Sequence, residues 1–127
     1  MNLLLDTHVF LWWDQSDAAL ATSARAAIQD PRNSVFVSAA SIWEIAIKRR
    51  LGELAFDGSP SAAIGANGFL ELPILPRDAD EAGDLPWQHG DPFDRLLVAQ
   101  AIRLGMSLVT VDRAIRDFGA VALLWAG

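Results

Sequence analysis

Five acidic side chains stand in stretches that are otherwise strongly apolar: Asp6, Glu44, Asp91, Asp94 and Asp112. Asp6 closes the apolar run "NLLL". Glu44 lies in "SIWEIAIKRR", flanked by Ile42, Trp43, Ile45, Ala46 and Ile47. Asp91 and Asp94 frame "DPFD", and Asp112 follows "SLVTV". A carboxylate among apolar groups is costly unless something cationic meets it. Several carboxylates brought within a few ångströms of one another do not all stay ionised unaided. A hard divalent cation such as Mg²⁺ or Mn²⁺ resolves both problems, because it prefers oxygen ligands. Such an ion activates a water and stabilises charge on a phosphodiester oxygen, and two ions clamp the attacking and leaving groups.

Each acid also has a plainer role. Asp6 can cap the helix that follows it. With Ser41 as N-cap, Glu44 would complete a capping box, and it can pair with Lys48 four residues on. Asp91 as N-cap, Pro92 at the first helical position and Asp94 in the first turn form a well-made helix start. Asp112 can cap the short segment "RAIRDF". Capping by one acid does not prevent metal binding by another.

The hydrophobic pattern supplies the elements that would bring the acids together. Strands are expected at Asn2–Leu5, Ser34–Ser38, Leu70–Ile74, Ser107–Thr110 and Ala120–Trp125. Helices are expected over Thr7–Trp13, Thr22–Gln29 and "SAASIWEIAIKRRLGEL" with Gly52 as its stop. Further helices fit a short segment from Ser59-Pro60 to Gly68, the polar "RDADEAGD" before Pro86, Pro92–Leu104 stopped by Gly105, and a turn after Asp112. Strands alternating with helices imply an α/β fold: one domain, residues 1–127, with a mainly parallel sheet flanked by helices. Ligands of such sheets bind beyond the carboxyl ends of the strands. Asp6 and Asp112 lie there directly. A right-handed crossover starts the helices of Glu44 and Asp94 at the same edge.

Thr7, Ser38 and Thr110 belong to that edge and can bond a phosphate or a metal-bound water, Ser38 reading first as a cap. His8 and His89 have no metal-ligand spacing and are read as non-ligands. Arg95 and Arg113 follow acids directly and are read as solvated surface cations.

Composition sets outer limits. Hydrophobic residues make up 52% and charged residues 20% of the 127 positions, which is globular and not disordered. With no cysteine there is no disulfide and no thiolate metal site, in keeping with a reducing, cytoplasmic setting. "MNLLLDTHVFLWWDQ" lacks the basic region and cleavage site of a signal peptide, and no apolar run is long enough to span a membrane. A net charge of −6 argues against the usual basic nucleic-acid footprint. A metal nuclease is the exception, since its ligand acids swell the negative count and bound cations offset it.

"LLLDTHVFLWW", "VSAASIWEIAIKRRLGEL", "DPFDRLLVAQA" and "LVTVD" together resemble the PIN-domain family, and within it the VapC-type toxins of bacterial toxin–antitoxin pairs. The resemblance runs from residue 3 to 112 and is weakest between Asp57 and His89. It implies a PIN-like sheet and Mg²⁺- or Mn²⁺-dependent endoribonuclease activity. It carries the family's four acids onto Asp6, Glu44, Asp94 and Asp112, and the hydroxyl after the first acid onto Thr7. His8 departs from the smaller polar residue many relatives carry. The resemblance also implies a homodimer and a cognate antitoxin whose C-terminal segment lies in an apolar groove near the acids. Phe10, Trp12 and Trp13 are the residues expected at that groove, since adjacent helical side chains point about 100° apart and Trp12 and Trp13 cannot both face the core.

Two other readings compete. A phosphatase with an aspartyl nucleophile needs a second aspartate two positions after the first, where this chain has His8. A catalytically silent protein-binding module is countered only by the presence of all four acids.

Overall fold

Three adjacent leucines, Leu3, Leu4 and Leu5, are each wholly buried. A strand covered on both faces buries consecutive residues in this way. The computed structural model describes residues 1–127 and places that strand, β1 (Asn2–Leu5), at the centre of the fold. With β2 (Ser34–Ser38), β3 (Leu70–Leu72), β4 (Ser107–Thr110) and β5 (Leu123–Trp125) it forms one sheet of order β3-β2-β1-β4-β5. Every neighbouring pair is parallel, so the expected mainly parallel sheet is wholly so. Register aligns Leu5 with Val37 on one side and with Val109 on the other.

Seven helices cover the sheet: α1 (Thr7–Asp14), α2 (Thr22–Gln29), α3 (Ala39–Arg50), α4 (Pro60–Ala66), α5 (Pro76–Asp84), α6 (Pro92–Leu104) and α7 (Arg113–Phe118). Alternation along the strands separates two cores. Leu3, Leu5, Val35, Val37 and Val109 pack with Val9, Phe10, Ala24, Ile28 and Ile64 on the face of α1, α2 and α4. Leu4, Leu72 and Leu108 pack with Leu97, Val98, Ala101 and Ile115 on the face of α6 and α7. α3 serves both, through Ile45 on one side and Ala40 on the other.

The expected elements are present, with shorter outer strands. β3 stops at Leu72 because Pro73 cannot donate to a ladder. β5 begins at Leu123 and not at Ala120, after the turn that follows Gly119. Gly105 ends α6 at φ 64°, a left-handed conformation that suits glycine and returns the chain directly into β4.

One polar network crosses the second core. Ser38 Oγ accepts from Ala40 N–H as the cap of α3 and donates to Gln100 Oε1 at 2.6 Å. Gln100 Nε2 reaches Pro73 O and Asp78 Oδ2. Asp78 is fully buried and meets the Arg103 guanidinium with both oxygens. Burial pushes the Asp78 carboxyl up, but hydrogen bonds from Arg103, Leu75 N–H and Gln100 outweigh it and hold it below the usual carboxylate range. Removing one partner of such a pair strands the other's charge. Asp78→Ala is therefore expected to lower stability by roughly 3–5 kcal/mol in urea denaturation, while a double Asp78→Leu/Arg103→Met variant recovers most of it.

Candidate active site

The chain reverses its direction of travel across the sheet between β1 and β4: β2 and β3 lie to one side of β1, β4 and β5 to the other. In an open parallel sheet the loops at such a switch point diverge and leave a crevice at the carboxyl edge. A cleft of about 510 Å³ lies there, with Asp6, Glu44, Asp94 and Asp112 all in its wall. Thr7, His8, Lys48, Glu53 and Asp91 complete its polar lining.

Asp6 comes from the end of β1. Its Oδ1 caps α1 by accepting from Val9 N–H at 2.8 Å. Its Oδ2 accepts from the Thr110 hydroxyl at the end of β4 and from Val111 N–H. Burial is the largest influence on this acid and lifts its pKa to about 6, although those hydrogen bonds pull it down. Glu44 is buried in the second turn of α3, where its Oε1 accepts from Thr7 Oγ1 at 2.6 Å and its Oε2 from Lys48 Nζ at 2.6 Å. The capping box expected from Ser41 is not formed, because Ser38 is the cap and α3 starts three residues earlier. The expected Lys48 pair is formed, and the Glu44 carboxylate raises the Lys48 pKa.

Asp94 sits in the first turn of α6. Burial, the largest effect, raises its pKa to about 7; Asp91 and Asp112 add to this, and a hydrogen bond from His89 opposes it. Asp112 caps α7 through Oδ1, which accepts from Ala114 and Ile115 N–H. Asp91 caps α6 in the same way, Oδ1 accepting from Phe93 and Asp94 N–H. Capping and facing the cleft are thus compatible for Asp6, Asp91 and Asp112: each caps through Oδ1. Trp43 and Phe93, the residues before Glu44 and Asp94, meet edge to face at 5.1 Å and tie α3 to α6 beside the acids.

The tightest grouping includes a residue that spacing had set aside. His89, Asp94 and Asp112 offer ligand atoms that all lie within 4.8 Å of one another. His89 Nε2 is 2.8 Å from Asp94 Oδ2. The only sequence cue to this was position: a histidine five residues before the acid, in the loop leading to its helix. Arg95 is likewise no solvated surface cation, for its guanidinium is bonded to backbone carbonyls of the same loop. His8 packs edge-on against Trp12 at 4.8 Å at the cleft's margin. Arg113 is exposed, as expected.

Phe10 cannot line a groove: it is fully buried in the first core against Phe69. Trp12 and Trp13 have different ring partners, His8 for Trp12 and Phe69 and Arg25 for Trp13, yet both are half-buried against the first core, contrary to the expectation that they could not both face it. An apolar groove of about 490 Å³ lies between α3, α4 and β3 and includes Ile42, Trp43, Ile64 and Leu72.

The donor set suits a hard divalent cation: four carboxylates on one cleft, two of them lifted toward neutrality by burial. Lys48 neutralises only Glu44, and the Asp94–Asp112 wall has no Lys or Arg ion pair.

The chain is similar to several known proteins. Ribonuclease VapC22 of Mycobacterium tuberculosis is 35% identical over 119 residues, 91% of each chain. Ribonuclease VapC16 of the same organism is 42% identical over 65 residues, 51% of this chain and 45% of that protein. Two solved structures share the fold: VapBC2 from Rickettsia felis, with a TM-score of 0.68 at 12% identity over 100% of both chains, and VapBC-1 from nontypeable Haemophilus influenzae, with a TM-score of 0.66 at 16% identity over 98% of this chain and 97% of that one. The PIN domain model matches residues 3–121, and the chain belongs to the PIN domain family.

Proposed function

We propose that this chain is a metal-dependent endoribonuclease, the toxin of a toxin–antitoxin pair, hydrolysing RNA phosphodiester bonds at the four-acid cleft. The observation that carries the reading is the meeting of Asp6, Glu44, Asp94 and Asp112 at the switch point of a parallel sheet, with Asp6 and Asp94 held up to about 6 and 7. The 35% identity to a protein named as a ribonuclease supports the substrate class.

Asp6, Asp94, Asp112 and Glu44 would hold Mg²⁺ or Mn²⁺. When bound, the ion stabilises charge on a phosphodiester oxygen and makes a water more acidic. The chain's own residues set the geometry. Thr110 fixes Oδ2 of Asp6, Thr7 fixes Oε1 of Glu44, and Asp91 fixes the first turn of α6 under Asp94. Lys48 in the cleft wall and the exposed Arg113 beside Asp112 supply positive charge for the RNA backbone in a chain of net charge −6. A homodimer and a cognate antitoxin complete the proposal. They rest on the likeness of "LLLDTHVFLWW" and "DPFDRLLVAQA" to VapC-type toxins. The groove along α3 is the apolar surface available to such a partner.

Purified protein should cleave structured RNA with Mg²⁺ or Mn²⁺ and not with EDTA, and Asp94→Asn should lose about a hundredfold or more of the rate. Well-folded wild type that cleaves nothing across several RNAs and both metals would favour a silent binding module. Cleavage undiminished in Asp94→Asn would place the chemistry elsewhere.

The raised acids also predict how stability follows pH without metal. In the unfolded chain these aspartates titrate near about 3.9. Their folded pKa values are higher, so the folded state binds the extra protons, and stability falls as pH rises from about 4 to 7. In EDTA, the melting temperature should therefore be lower at pH 8 than at pH 5. Asp94→Asn should flatten that slope and exceed wild type at pH 8, by roughly 2–4 kcal/mol from its own share. Mn²⁺ should restore wild type and leave the variant little changed. A wild-type profile that climbs from pH 5 to pH 8 in EDTA would contradict the burial of these acids in charged form.

A further inference from the structure

We propose that His89 is a positioning residue for Asp94, and that Arg95 holds His89 in place by clamping the loop that carries it. The inference rests on the metal-nuclease reading of the cleft. It concerns how one ligand is held.

His89 Nε2 and Asp94 Oδ2 are 2.8 Å apart, a full hydrogen bond between side chains that are 30% and 16% exposed. A single ring nitrogen cannot both donate to a carboxylate and ligate a cation. With Nε2–H given to Asp94, His89 acts on the cation only through that acid. It restrains the carboxylate's rotation and occupies one acceptor site of Oδ2, so that Oδ1 is the less encumbered oxygen. Partners of this kind fix ligand orientation in metal sites generally.

The imidazole is itself restrained. Trp87 lies against it at 4.8 Å and stacks on Phe118 of α7 at 4.8 Å and 15°. The backbone beneath it is fixed by Arg95. Nε bonds Ala82 O; Nη1 bonds Trp87 O and His89 O; Nη2 bonds Gly83 O and Leu85 O. Those contacts use all five N–H donors of a guanidinium. They gather the end of α5 and the whole loop to the start of α6 around one side chain. Arg95 is also the residue after Asp94, so the clamp and the acid share a backbone. A shift of the first turn of α6 carries the loop with it, and the spacing from His89 to Asp94 is conserved. A lysine has no such planar fork and cannot serve five carbonyls.

The test uses Mn²⁺ binding to the purified protein, read without RNA from the electron paramagnetic resonance signal of the free ion. His89→Ala should weaken binding about ten- to a hundredfold. His89→Gln, whose amide can place a donor near the Nε2 position, should recover most of the loss. Arg95→Met should weaken binding in the same direction with the imidazole intact, Arg95→Lys less so, and the Ala/Met double variant should lose little beyond the larger single loss. On RNA, kcat should fall while KM changes little. Wild-type affinity in His89→Ala would overturn the proposal. So would a ¹⁴N coupling to bound Mn²⁺ that disappears in His89→Ala, since His89 would then be a ligand. Wild-type affinity in a folded Arg95→Met would overturn the clamp, and if that variant does not fold, wild-type affinity in Arg95→Lys does the same. Absence of Mn²⁺ binding by wild type would instead refute the metal reading, which keeps the two failures distinct.

Discussion

Burial of carboxylates in a poorly hydrated cleft is the constraint around which this molecule is arranged. Left to themselves, Asp6 and Asp94 would exchange charge for a proton or turn to solvent, as burial's pressure on both shows. The fold denies them the second choice. Asp6 is tied by Thr110 across two strands, Glu44 by Thr7 and Lys48, and Asp94 by His89. One of these ties comes from a residue that itself adjoins an acid, and other neighbours of the acids pack beside them. Thr7 follows Asp6, Trp43 precedes Glu44, and Phe93 and Arg95 flank Asp94. Each acid therefore sits in a short segment that also supplies part of its own or another acid's support.

The same arrangement explains why helix starts recur at this edge. The backbone N–H groups of a first turn need acceptors, and they favour negative charge. Asp6, Asp91 and Asp112 each meet that need with Oδ1. Capping lowers the conformational freedom of a carboxylate before any ligand arrives. A cap and a candidate metal ligand are one construction here, with two oxygens facing different demands.

Most of the fold was legible from the chain because its signals are local. "NLLL" and "SLVT" are too apolar for anything but covered strands, and "DPFD" and Gly105 mark both ends of α6. The edge strands were overestimated since length at an edge depends on where a neighbour stops pairing, as at Pro73. The four acids could be found because topology alone brings strand ends and helix starts together. His89 and Arg95 were missed for a different reason. Their roles depend on the path of the α5–α6 loop, and periodicity says nothing of a loop's path. An arginine written next to an aspartate looks like a surface pair until its guanidinium is seen to face carbonyls. Phe10 was misplaced because the sequence says that a helix is apolar, not which of its sides meets the sheet.

The bond from Thr110 to Asp6 spans 104 residues of sequence. It joins β1 to β4, which is synthesised about a hundred residues later. β1 has β2 beside it early, but its other edge waits for β4. At about 5–20 residues per second, that wait lasts on the order of 5–20 s. During it, Asp6 has no Thr110 and no Asp112 nearby, and α6 has no sheet to close against. A chain that stops before β4 cannot bring Thr110 and Asp112 to Asp6. Strand order therefore makes the cleft a late product of folding, formed only once β4 has paired with β1.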